Sequence, residues 1–220
     1  MACKSDRKQL NSSGIRAVLL DFGGVLAEEG FKEGLHAIGR LSGVPPDDMV
    51  RAGFDLVHRT GYVTGQAGES SFWDSLREEA GAKGTDNDLR REILSRFVIR
   101  PWMIRMVERL LEQGLVLGIL SDQTQWLDEL DREYGFLRHF HHVFNSYHTG
   151  VSKREPAAFD RAAAHMGLPA DRILFVDDHP GNVERAQERG MKTILFKDQT
   201  GFQDALASHG LLLDANYSSD

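Results

Sequence analysis

The stretch Ala17-Val18-Leu19-Leu20-Asp21-Phe22-Gly23-Gly24-Val25 decides how the rest of the chain is read. Its first four residues are aliphatic with no polar break, a strand-sized run of the kind found where a strand is buried on both faces. A carboxylate follows the run directly, and two glycines follow soon after. That order places an acid on a loop where backbone groups can approach a ligand closely. Taken alone, Asp21 could equally cap the next turn. The other strand ends decide between the two.

Apolar runs of the same size recur at Ile15 to Leu20, Leu115 to Leu120, His142 to Asn145, Ile173 to Val176 and Thr193 to Phe196. Each is followed by polar or Gly-containing residues and then by a helical pattern. The clearest helix spans Pro101 to Gln113, where Met103, Met106, Val107, Leu110 and Leu111 repeat at i, i+3, i+4, i+7 and i+8. Proline opens it and Gly114 closes it. Strands alternating with helices predict an α/β fold with a parallel sheet covered on both faces, in which ligands bind beyond the carboxyl ends of the strands.

One interval breaks the alternation. Between the first strand and Pro101 the sequence reads as helices only: Phe31 to Leu41, Pro46 to His58, Glu69 to Glu79 and Asp86 to Val98. Asp47 and Thr85 are read as N-caps, Thr85 with Asp88 as its capping-box partner. Leu89, Ile93 and Phe97 mark the buried stripe of the last helix. The expected organisation is a polar leader over residues 1–14, a core built from 15–27 and 101–220, and an inserted α-helical cap over 28–100. The hinges fall at Ala27 to Gly30 and Ile99 to Pro101.

The chain has 220 residues, a formal net charge of -7 and 41% hydrophobic residues. Adding the glycines brings it to ordinary globular composition, which excludes a disordered chain, and no apolar run approaches a membrane span. The acidic balance argues against nucleic acid, whose phosphate backbone demands a basic face, while leaving room for a small phosphorylated substrate. Cys3 is the single cysteine, so an internal disulfide or a cysteine-based metal site is excluded. With no apolar segment behind the charged N-terminus, a cytoplasmic location is expected. Oligomeric state is not legible.

The remaining strand ends carry chemistry. The second run ends in Ser121-Asp122, a hydroxyl and fresh N–H groups suited to phosphate or simply to capping a helix. The fourth ends in Asp177-Asp178, with Asn182 four residues after Asp178; two adjacent acids repel unless a cation neutralises them, and Mg²⁺ is the usual ion beside phosphate. Between these runs stands Lys153, just before a helical pattern. The histidines His139, His141, His142 and His148 read as a mixed-polarity edge strand, since no carboxylate is placed to complete a metal site.

This ordered set resembles the haloacid dehalogenase-like hydrolase superfamily, over roughly Ile15 to Lys197. The resemblance implies a Rossmann-like parallel-sheet core with an inserted helical cap, closest to the sugar-phosphatase-like and epoxide-hydrolase N-domain-like branches. Only 23 residues separate Lys153 from Asp177, which leaves no room for the family's other cap class. It further implies Asp21 as nucleophile, Ser121 and Lys153 as catalytic and phosphate-binding groups with Asp122 beside them, and Asp21, Gly23, Asp177 and Asp178 as the Mg²⁺ site. The expected activity is Mg²⁺-dependent hydrolysis of a small phosphorylated metabolite through an aspartyl-phosphate. The alternatives are a catalytically weakened member that binds a ligand or protein and, more distantly, a 2-haloacid dehalogenase.

Three positions depart from the family pattern. Asp122 replaces the usual Asn or Thr, and Arg154 stands where proline usually follows the lysine. Gly23 occupies the place of the second aspartate that acts as general acid and base in most phosphatases of the family. Loss of such a group removes about 10²–10⁴ in rate. The leaving oxygen must then depart with little help, unless a cap residue or Asp122 donates the proton. Phe54, His58, Phe72 and Trp73 in the cap are read as core before pocket, because they fall at helical spacing.

Overall fold

The computed structural model describes residues 14–211, so Cys3 and nearly all of the polar leader lie outside the described residues. Among these residues five short strands, β1 (Ala17–Leu20), β2 (Val116–Ser121), β3 (His142–Asn145), β4 (Ile173–Asp177) and β5 (Lys192–Leu195), form one parallel sheet in the order β3-β2-β1-β4-β5. β1 lies at the centre, with Leu20 in register with Ile119 of β2 and with Val176 of β4. The strands are as read from sequence to within two residues at each end.

Side-chain alternation explains why the central strands read as continuous apolar runs. Val18 and Leu20 point to one face with Leu117, Ile119, Leu174 and Val176, whereas Ala17 and Leu19 point to the other with Ile173 and Phe175. Among the described residues there are ten α-helices. They are α1 (Gly30–Ser42), α2 (Pro46–Arg59), α3 (Glu69–Ala80), α4 (Asp86–Leu94), α5 (Pro101–Glu112), α6 (Trp126–Tyr134), α7 (Ser146–Thr149), α8 (Ala157–Met166), α9 (Pro180–Glu188) and α10 (Gln199–Ser208). Buried residues of α5, α6 and α10 cover the first face; those of α8 and α9 cover the second.

Helices α1 to α4 are inserted between β1 and α5, and their apolar residues join the same core cluster as the first sheet face. The two chain crossings that lead into and out of this insertion pair with each other. Ala27 bridges Ile99 in antiparallel fashion, Glu28 N–H donates to the Val98 carbonyl and Arg100 N–H to that of Leu26. Arg100 then locks the crossing by donating to both carboxylate oxygens of Glu28 and to the Gly24 and Val25 carbonyls.

Two local expectations require correction. Asp47 is not the N-cap of α2: Pro45 holds that position, Pro46 begins the helix with its missing N–H at no cost, and Asp47 sits in the first turn. Helix α4 ends at Leu94 rather than Val98, because the chain must leave the helix for Phe97 to pack against Phe22 and the glycine face at Gly30. Thr85 does cap α4, with the reciprocal capping box to Asp88. Among the described residues no helix is long and apolar enough to cross a membrane.

Candidate active site

Because the sheet is parallel, the carboxyl ends of β1, β2 and β4 open to the same side, and the sheet order sets Ser121, Asp21 and Asp177 on three adjacent strands. Asp21 is 8% exposed. Its Oδ1 accepts from the Phe22 N–H at 2.7 Å and the Ser121 hydroxyl at 2.5 Å. Its Oδ2 faces Lys153 Nζ at 2.7 Å. Lys153, fully buried, also donates to Asp177 Oδ2 at 2.6 Å.

The Lys153 loop is held from both sides. Asp122 accepts from the Ser152 hydroxyl and the Lys153 N–H, and Arg185 Nε donates to the Lys153 carbonyl at 2.7 Å. Asp177, wholly inaccessible, accepts in addition from the His179 N–H and from Asn182 Nδ2. Asn182 therefore orients Asp177. Both Asp122 oxygens therefore serve the lysine loop, and the Asp122 charge adds to the negative surroundings of the Lys153 ammonium.

Carboxylate oxygens of Asp21, Asp177 and Asp178 lie within 4.8 Å of one another. Burial, opposed by Lys153 and reinforced by the Asp177 charge, raises Asp21 well above the usual carboxylate range. Burial and then Asp177 raise Asp178 as well. Burial alone would depress the Lys153 ammonium, but Asp177, Asp21 and Asp122 outweigh it and hold it well above its ordinary value. One ammonium thus faces three carboxylates. An all-oxygen donor set with surplus negative charge suits a hard divalent cation such as Mg²⁺. Gly24 contributes to that fit: it has φ of 78°, and a Cβ there would fall 2.1 Å from Asp178 Oδ2, so only glycine lets the loop pass this carboxylate.

These groups open into a cavity of ≈ 510 Å³ whose far wall comes from α1 and α2, including Lys32, Phe54 and His58. Of the four helical residues left between core and pocket, Phe72 and Trp73 are fully buried core, whereas Phe54 and His58 line the cavity. Burial, then the Arg154 charge, push His58 down to about 4, so its imidazole is neutral at pH 7. The four later histidines gather no metal cluster among the described residues, and His139 sits in a short 3₁₀ turn, not in a strand.

The sequence alone did not single out Glu29. It falls inside the hinge Ala27 to Gly30, yet it lines the cavity beside Gly23. Burial and then Asp178 push its carboxyl up to about 7. The signal available was a pair of acids: Arg100 neutralises Glu28, leaving the second acid to face inward.

Acids, a hydroxyl and a buried lysine gather at the strand tips of a parallel sheet, roofed by inserted helices, which is the arrangement of a Rossmann-like enzyme centre. A sequence model of the haloacid dehalogenase-like hydrolases matches residues 15–190, and the chain belongs to that family. Over 212 residues it is 26% identical to a phosphatase of Mycobacterium tuberculosis, covering 91% of this chain and 97% of that protein. Over 66 residues it is 35% identical to haloacid dehalogenase-like hydrolase domain-containing protein 3 of Danio rerio. That match covers 30% of this chain, which spans only about a quarter (27%) of the Danio rerio protein. Among solved structures, a family enzyme of Bacteroides thetaiotaomicron in complex with magnesium and inorganic phosphate shares the fold. The TM-score is 0.65 at 23% identity, covering 83% of this chain and 94% of the other.

Proposed function

We propose that the chain is a phosphatase that hydrolyses a small phosphate monoester through an aspartyl-phosphate at Asp21. The observation that carries this reading is the setting of Asp21: a buried carboxylate, fixed by Ser121, the Phe22 N–H and Lys153, at the floor of a cavity. A pure binding protein has no need of a carboxylate so placed. The phosphatase name of the full-length Mycobacterium tuberculosis relative supports the same reaction class.

Attack by Asp21 on phosphorus divides one difficult displacement into two easier ones. Lys153 and the Ser121 hydroxyl hold the phosphoryl oxygens, since positioning and electrostatics dominate this chemistry. Asp122 keeps the Lys153 loop in place, and Asp177 with Asn182 fixes the ammonium from behind. Asp21, the Gly23 carbonyl and Asp178, with Asp177 in the same cluster, would hold Mg²⁺, which when bound neutralises charge between the carboxylate and the phosphate. Water then attacks the aspartyl-phosphate and restores Asp21. Helices α1 to α4 act as the cap, with Lys32, Phe54 and His58 facing the alcohol part of the ester.

A screen of phosphate esters with Mg²⁺, and with chelator in its place, tests the reading. Turnover that requires Mg²⁺ and disappears in Asp21→Asn is expected. No turnover of any ester, and no phosphoenzyme from acetyl phosphate, would refute it.

A further inference from the structure

We propose that Glu29 is the proton donor to the leaving oxygen and the base that activates water in the second step, acting from the cap hinge across Gly23. The proposal rests on the phosphatase reading above. Gly23 leaves a gap beside the nucleophile loop, and the Glu29 carboxyl fills it: a Cβ on Gly23 would lie 3.2 Å from Glu29 Oε2. The other acids of the cavity are committed. Asp21 is the nucleophile, Asp178 belongs to the cation cluster, and both oxygens of Asp122 hold the Lys153 loop. Glu29 Oε1 accepts from the Lys32 N–H, while Oε2 is the oxygen turned toward Gly23.

The competing explanation is that Glu29 merely caps α1, whose N-cap it is. Glutamate is a poor choice for that task, because the short side chains of Ser, Thr, Asp and Asn reach the first turn better. Its extra methylene carries the second oxygen out over Gly23, which capping does not require. In the first step, Asp21 bonds to phosphorus, the P–O ester bond breaks, and the Glu29 proton passes to the departing oxygen, so that neutral alcohol leaves. In the second, water gives a proton to the Glu29 carboxylate as its oxygen bonds to phosphorus. The Asp21–phosphorus bond then breaks, phosphate departs, and Glu29 is again protonated.

Three variants test the assignment: Glu29→Gln, Glu29→Asp and the double variant Gly23→Asp/Glu29→Ala. Each is first checked for an unchanged melting transition, then assayed with Mg²⁺ on p-nitrophenyl, phenyl and simple alkyl phosphates, with the phosphoenzyme followed by intact mass. Glu29→Gln should lose about 10²–10⁴ in kcat on alkyl phosphates. With p-nitrophenyl phosphate, whose leaving group needs no proton, it should accumulate phosphoenzyme because the second step lacks its base. Glu29→Asp keeps charge and improves the cap, yet should lose alkyl phosphatase activity, which a capping role would not predict. The double variant should recover part of that activity: with Glu29 truncated, the neighbours left beside a Cβ at Gly23 lie at 3.5 Å, an ordinary contact. If Glu29→Gln and Glu29→Asp match the wild type on alkyl phosphates while Asp21→Asn is dead, the Glu29 assignment falls and the phosphatase reading stands. If the wild type shows neither turnover nor phosphoenzyme, both fall.

Discussion

Replacing Lys153 with methionine probes the charge balance of the site without altering its shape, since methionine is similarly long, unbranched and adaptable. In the wild type the ammonium lies 2.7 Å from Asp21 and 2.6 Å from Asp177, two carboxylates that are themselves buried. Removing it leaves those carboxylates facing each other, with Asp178 at the rim. Loss of one partner from a buried ion pair costs about 3–5 kcal/mol. For a chain of this size each kcal/mol moves the melting temperature by about 2–4 °C, so a fall of roughly 6–20 °C is expected in chelator. Asp21→Asn should behave oppositely. It removes one of the surplus negative charges and keeps the Lys153–Asp177 pair, so it should melt at or above the wild-type temperature while losing turnover. The assay is thermal unfolding at pH 7 of the wild type and both variants, in chelator and in Mg²⁺. If Lys153→Met melts within about 2–4 °C of the wild type in chelator, less than 1 kcal/mol separates them and the lysine does not compensate buried charge.

Three further outcomes follow from the same cluster. Asp21 and Asp178 are raised above the ordinary carboxylate value of 3.8, so in chelator the folded state binds protons that the unfolded state has released. Stability in chelator should therefore be fullest below that value and fall as pH rises through the raised range, whereas in Mg²⁺ the fall should be smaller; melting across pH 4–8 in the two conditions checks this. Asp178→Ala should weaken Mg²⁺ binding, read by calorimetry, and leave the fold intact because the side chain sits at the rim. Gly24→Ala should impair Mg²⁺ binding too, by displacing the Asp178 carboxylate and straining a backbone at φ 78°; unchanged affinity would show that the loop can move aside.

Much of this architecture is legible in the sequence, for reasons that can be stated residue by residue. A strand buried on both faces reads as an unbroken apolar run, so β1 and β4 and the acids that end them are conspicuous. Lys153 stands out only through its order between Ser121 and Asp177, since nothing local separates a buried lysine from a solvated one. What escapes is set by tertiary packing. The Asp122 carboxylate is explained by the Lys153 loop, thirty-odd positions away in the chain. Phe54 and Phe72 fall at similar helical spacings, and only the direction of the cavity tells pocket from core. Glu29 is invisible because its placement depends on the missing side chain at Gly23 and on Arg100 claiming Glu28.

The contact between α3 and α6 has an optical consequence. The indoles of Trp73, in the inserted helices, and Trp126, beside the sheet, stack 5.7 Å apart at 28°, and both are shielded from solvent. Trp102, the remaining tryptophan, lies elsewhere, stacked on Phe196 at 6.2 Å. A rigid swing about the Ala27–Ile99 crossing would part and hydrate the first pair while leaving Trp102 undisturbed. The unlabelled protein would therefore carry its own gauge of any displacement of α3 from α6: the colour and exciton coupling of one indole pair, read against a third that stays still.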